Sequence, residues 1–246
     1  MNNQLRGDLT KLRTNRTTIS VAAALVGLVL FAIALHTLGF PARLLANRVE
    51  QLKIMIDVGQ NLGIVFATVM GAGAMTTEYR YGTIRPTLLV APDRTQVFLA
   101  KALTQFVTGV VFGALAMTVA VGAGAGFLSA RNITVLLTRG DVVSLIVGSA
   151  VAAAMAAVFG LALGTIVRKQ VPVTVAVIVW LLLIEQLLRG GMPRVGRFAP
   201  GALAQSMAGN RVDTVQSPLA AAALLVAYVA VIAAGAIVVF NQRDIT

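Results

Sequence analysis

Cysteine is absent from this chain of 246 residues. Without thiols there is no disulfide, no thiolate nucleophile and no Cys-ligated metal. Histidine occurs once, at His36, so a metal or acid–base centre built on imidazoles lacks ligands unless carboxylates supply the rest. Charge is scarce too: 12% of residues are Asp, Glu, Lys or Arg, against roughly 25% in ordinary soluble domains. The 9 acidic residues are outnumbered by 20 basic ones, for a formal net charge of +11. The basic residues are scattered among apolar stretches rather than gathered on one soluble face. That distribution argues against nucleic acid and for membrane lipid, through anionic headgroups, as a partner.

What the chain has in abundance is apolar surface: 58% hydrophobic residues and a mean hydropathy of +0.87. A water-soluble fold of this length cannot hide so much of it, and the surplus must face lipid. A spanning helix needs about 20 mostly apolar residues, because roughly 30 Å of hydrocarbon is crossed at 1.5 Å per residue. Stretches poor in Asp, Glu, Lys and Arg predict six spans at about 19–38, 58–75, 102–128, 142–167, 171–188 and 218–240, the fifth reaching Leu188 if Glu185 is tolerated near its end. Their continuous apolarity favours helices over barrel strands, which would alternate. The fold class is therefore all-α, a single polytopic membrane domain over residues 1–246.

Arg6, Lys11, Arg13 and Arg16 precede an apolar run too long for a signal peptide, so the first span is expected to be retained. With the N-terminus inside, cytoplasmic segments hold Arg6, Lys11, Arg13, Arg16, Arg80, Arg85, Arg94, Lys101, Arg168, Lys169 and Arg243. The remaining basic residues fall outside. The overall bias is small, but the four residues before the first span decide for both termini in the cytoplasm. Leu5, Leu9 and Leu12 are spaced as on an amphipathic helix. Residues 1–16 read either as a helix lying on the inner membrane surface or as a basic tail.

The most informative stretch joins the second and third spans, from Glu78 to Arg94. Gly82 can stop the second helix, since it takes up positive φ at no steric cost. Thr83 is expected to N-cap a short helix running to about Val90, with Pro86 in its first turn. Pro92 closes that helix, and Asp93 suits the positive end of the third span. The product is a short helix on the membrane surface held between two spans. It is either a docking element for a soluble partner or simply a structured loop.

Glu78, Gly82, Thr83, Ile84, Arg85, Thr87, Leu88, Leu89, Pro92 and Arg94, followed by Lys101, resemble the corresponding loop of bacterial permease subunits of ABC-2 type transporters. The six-span layout, the length and the N-terminal amphipathic stretch fit the same family. The resemblance implies that the short helix is a coupling helix, cytoplasmic, seated in a cleft of an ATP-binding cassette ATPase subunit. The docking surface would then run from Tyr79 and Arg80 through to Arg94. The chain has no Gly-x-x-x-x-Gly-Lys-Ser/Thr sequence, so ATP and magnesium would be bound by that separate ATPase and no cofactor is expected here. The implied assembly is an exporter in the bacterial inner membrane. Two permease chains, identical or related, would pair with two ATPases.

Other features admit structural readings. Gly122, Gly124 and Gly126 lie inside a span with no preceding strand, which suits close packing or a kink rather than a nucleotide. Gly109/Gly113 and Gly160/Gly164 are small-residue faces that allow close approach, within the chain or between subunits. Glu185 lies four residues before Arg189. It reads as an i,i+4 ion pair at the interface or as a substrate contact. His36 is expected to be interfacial and structural. Pro193, Phe198, Pro200 and Leu203 make the 189–216 segment a partial re-entry or a surface helix rather than free coil. Its Arg189, Arg194, Arg197 and Arg211 would attract anionic substrate or headgroups, or merely be solvated. The competing function is a membrane protein without transport activity, an enzyme or an assembly or anchor factor. An enzyme needs clustered catalytic groups at membrane depth, and there are no paired carboxylates in the spans and no Gly-x-Ser-x-Gly.

Overall fold

Four of the long helices begin where a small polar side chain takes up a free backbone N–H, and the spans continue for as long as the sequence stays apolar. In the computed structural model, which describes residues 16–207 and 217–243, every regular element is helical. Helix α1 covers Arg16–Gly39, α2 Arg48–Arg80, α3 Ile84–Val90, α4 Arg94–Ala130, α5 Arg139–Val167, α6 Gln170–Gly191, α7 Pro200–Met207 and α8 Pro218–Gln242. All except α3 and α7 are long and apolar enough to cross a membrane. The six spans expected from composition are thus present, each extending beyond its apolar core.

Four of the starts are capped by a side chain. Asn47 accepts from Val49 N at 2.9 Å before α2, Asp93 from Gln96 N at 3.1 Å before α4, and Ser217 from Ala220 N at 3.3 Å before α8. Thr138 and Asp141 close a reciprocal capping box at the head of α5. Helix α2 starts ten residues before the expected span. A π-type turn at Ile56–Gln60 joins its polar first turns to its apolar part. A second π-type turn, Trp180–Ile184, lies in α6. The proposed amphipathic pattern at Leu5, Leu9 and Leu12 lies outside the described residues, as does Arg211.

The spans run alternately up and down, and their ends are tied together at two levels. At one end the Arg131 guanidinium donates to the carbonyl oxygens of Thr37 and Phe40, the latter at 2.9 Å. There Arg48 also pairs with Asp141 at 2.7 Å. At the other end Arg243 donates to Ile166 O at 3.2 Å. The loop between α2 and α4 lies at this second level, called the hinge end below.

Helix α2 is the central post: 67% of its apolar window is buried, against 17% for α1 and for α6. Its close partner is α5. A Cβ at Gly71 would collide with the Ala157 carbonyl, and at Gly160 or Gly164 with the carbonyls of Thr68 or Ala72. Gly109 and Gly113 of α4 sit equally close to the α5 backbone at Ala153 and Ser149. Both small-residue motifs therefore serve packing within the chain. Helix α1 rides on α4 through Leu25, Val29 and Ile33. Helix α4 runs unbroken through Gly122, Gly124 and Gly126. Only Gly124 meets a neighbour, Met55, while the other two face open space. Of the two readings of this motif, Gly124 fits close packing, and the helix continues through all three glycines.

The outer faces of the spans carry exposed Phe31, Leu35, Val111, Val147, Val171 and Val231. Such a continuous apolar exterior belongs in a lipid environment.

Candidate functional site

Gly82 ends α2 at φ +67°, a left-handed conformation that costs glycine nothing. The chain turns there into α3, whose bounds match the sequence expectation. Pro86 lies in its first turn, and the chain leaves through Pro92 to the Asp93 cap of α4. One detail differs. Thr83 stands at the N-cap position but is itself helical, with φ −75° and ψ −9°, and its hydroxyl caps nothing. Its carbonyl instead accepts from Thr87 N at 3.2 Å and from Thr87 Oγ1 at 3.0 Å. The turn at Gly82 winds the chain into helix one residue early, so Thr83 lacks the extended backbone that a side-chain cap requires.

The residues singled out in this loop divide into two sets. Facing inward, Ile84 is buried and Leu88 partly so. Ile84 belongs to a buried cluster with Met75 of α2, Phe98 of α4, Leu161 of α5 and Phe240 of α8, and Leu88 packs against that cluster. Glu78 pairs with Lys101 at 2.5 Å, and their side chains are only 13% and 7% exposed. The Arg168 guanidinium lies 4.9 Å from the centre of the Tyr79 ring. Arg94 also turns inward, donating to Phe240 O at 2.8 Å and Arg243 O at 3.0 Å. It thereby satisfies the last carbonyls of α8, which have no partner inside the helix.

Facing outward, Leu89 and Val90 are each 85% exposed. Arg80, Arg85 and Pro92 are exposed beside them, and Thr87 is half-buried. Tyr81, within the expected Tyr79–Arg94 surface though not singled out in it, is 68% exposed with Arg80 against its ring at 5.6 Å. The result is an apolar knob with basic neighbours, held on a base to which α2, α4, α5 and α8 all contribute.

The profile of the family described as "Protein of unknown function (DUF2705)" matches residues 21–246. The chain belongs to that family. No curated protein matches the sequence significantly.

A second polar cluster lies toward the other end, and the sequence disclosed only part of it. Glu185 is wholly buried and pairs with Arg189 four residues on, as the spacing predicts. Its other oxygen accepts from Gly201 N at 3.1 Å. Arg189 Nη1 donates to Gln205 Oε1 at 2.8 Å, and Gln205 Nε2 to Asn61 Oδ1 at 3.0 Å. Gln60, brought round by the first π-type turn, donates to Ala204 O at 2.6 Å. The network clamps α7 against α2 and α6. Within the described part of the 189–216 segment, Pro200–Met207 is a short helix with Gly201–Ser206 buried. Spacing revealed the Glu185–Arg189 pair. Its partners Gln205 and Asn61 lie far apart in sequence and left no signal.

His36 Nδ1 donates to Ala32 O at 2.8 Å, a contact within its own helix. Among the described residues no group of three or more His, Asp or Glu side chains is placed to hold a metal.

Proposed function

We propose that the chain is the membrane-spanning permease subunit of an ATP-driven ABC exporter, with the Tyr79–Arg94 segment as the dock for a separate ATPase. The observation that carries this reading is the exposed Leu89/Val90 knob on an inward-locked base. An apolar pair so exposed, ringed by Arg80 and Arg85, suits a cleft in a soluble partner better than water. The base suits force transmission: Ile84 is buried in a cluster to which α2, α4, α5 and α8 contribute, and Leu88 packs against it, so in this reading movement of the knob is passed to the bundle. In this reading α3 faces the cytoplasm of a bacterium and both termini lie inside. Two permease chains, identical or related, pair with two ATPases that bind ATP and magnesium. ATP-driven closure of the ATPases pushes on α3, and the two bundles shift relative to one another to open a path outward. The resemblance of Glu78, Gly82–Arg85, Thr87–Leu89, Pro92, Arg94 and Lys101 to the ABC-2 permease loop points the same way.

The test is co-purification in mild detergent from the native membrane, with Leu89→Ser/Val90→Ser as the comparison. The expected result is a Walker-motif ATPase recovered with the unaltered chain and lost with the variant. A variant that retains the ATPase, or an unaltered chain that recovers none in several detergents, sinks the reading in favour of an anchor or enzyme.

A further inference from the structure

A cavity of about 340 Å³ lies inside the apolar belt of the bundle. Its floor is the packed pair α2 and α5, through Ile64, Met155, Ala156 and Phe159. Helix α6 forms one wall, α8 the other, and α7 closes the end away from the hinge with Pro200, Gly201 and Ala204. The walls make little contact with each other. The cavity therefore opens sideways between them, where Trp180 and Tyr228 are partly exposed. Its size is at the lower end of the roughly 300–1,000 Å³ typical of ligand sites. The lining offers almost nothing polar: the Thr68 hydroxyl is already committed to Ile64 O at 2.7 Å. An occupant must be apolar, and it enters from the side that faces hydrocarbon.

The rim where α6 meets α7 has the opposite chemistry. Arg189, Arg194 and Arg197 lie there, and between Glu185 and Asp213 the chain has no acidic residue. The turn at Gly196 packs against the backbone of Leu188 and Arg189, which holds this arginine group beside the last turns of α6. Arg194 is exposed. Arg197 lies against the Phe198 ring at 4.7 Å, three residues before the cavity-lining Pro200. The Nε atoms of Arg189 and Arg197 are shielded from solvent and meet no acceptor among the described residues. Shielded guanidinium N–H groups are costly unless an acceptor is supplied, and a phosphate oxygen suits them.

We propose that this is a binding site for an anionic phospholipid. One acyl chain lies in the α6/α8 cavity and the phosphate lies against Arg194 and Arg197. Charge complementarity at the rim and continuity of the opening with the lipid-facing surface select this occupant over a helix from a second copy of the chain. The site stands independently of whether α3 seats an ATPase.

The experiment uses the full chain in nanodiscs containing a trace of phospholipid with a photoactivatable diazirine in its acyl chain. The headgroup is either phosphatidylglycerol or phosphatidylcholine, and labelled residues are mapped by mass spectrometry. Expected labels fall on Met155 and Phe159 inside the cavity, more strongly from the anionic probe. Arg194→Gln and Arg197→Gln should each lower that preference roughly fivefold, without touching the cavity. Ala156→Phe with Ala176→Phe should abolish the interior label and leave outward-facing Phe31 and Val231 labelled as before. That retained outer label is the check that the filled variant is folded. An unlabelled interior, equal labelling by both headgroups, or cross-links from Met155 to a second copy would each overturn the proposal.

Discussion

Two buried ion pairs carry opposite structural duties, and single substitutions separate them. Glu185 has no exposure and holds the head of α7 through Gly201 N as well as its partner Arg189. Removing it leaves a largely buried guanidinium without its carboxylate and frees α7. We expect Glu185→Ala to cost about 3 kcal/mol, as for other broken buried pairs, read as a lower thermal midpoint in detergent. Glu185→Leu/Arg189→Leu should recover part of that loss. A midpoint no lower than that of Leu187→Ala, on the exposed face of the same helix, would refute the clamp. Glu78 and Lys101 are nearly as buried at the hinge end. There Lys101→Met should destabilise by about 3 kcal/mol on the same ground. Glu78→Gln/Lys101→Met should lie much nearer the unaltered chain, and a double variant worse than the single would count against the pairing.

At the scale of elements, the glycines of the bundle fall into two groups that composition cannot distinguish. A Cβ at Gly71 or Gly160 runs into backbone carbonyls of the facing helix, whereas one at Gly122 or Gly126 meets nothing. Gly71→Ala and Gly160→Ala should each cost about 1–3 kcal/mol through overpacking. Gly122→Ala and Gly126→Ala should be neutral or stabilise by about 0.5–1 kcal/mol, because alanine is the better helix former. Thermal melts of the four variants decide, and equal effects would contradict the α2–α5 contact. Gly82 differs from all of them: its surroundings are open, and only its φ of +67° resists a side chain. Gly82→Ala should cost about 1–2 kcal/mol, through the re-aimed α3 rather than through the bundle.

At the scale of the whole molecule, six spans put the α2–α4 hinge and the start of α2 on opposite sides of the membrane. The lack of cysteine makes the test direct. Leu89→Cys and Val49→Cys supply one thiol at each level, both on exposed positions. An impermeant maleimide applied to intact cells should label Val49→Cys, and Leu89→Cys only after permeabilisation. The reverse pattern would invert the orientation, and labelling of both in intact cells would refute the six-span layout.

Much of this was legible in the sequence, for a physical reason. In hydrocarbon every backbone polar group must be satisfied locally, so length and apolarity alone set the number and approximate limits of the spans. Gly82, Pro86, Pro92 and Asp93 act on their immediate neighbours, and the bounds of α3 followed from them. Thr83 was misjudged because a cap depends on backbone conformation, which Gly82 decides. Tertiary structure alone decided what lies far apart in sequence: which face of α3 points outward, which glycines touch α5, and where Gln205 and Asn61 meet Arg189. It also decided that Arg94 turns inward to the end of α8 and that α6 and α8 stand apart around a cavity. Those outcomes follow from how the helices rotate and pack against one another. Because nearly every face of these helices is apolar, the pattern of residues along each one does not specify that rotation.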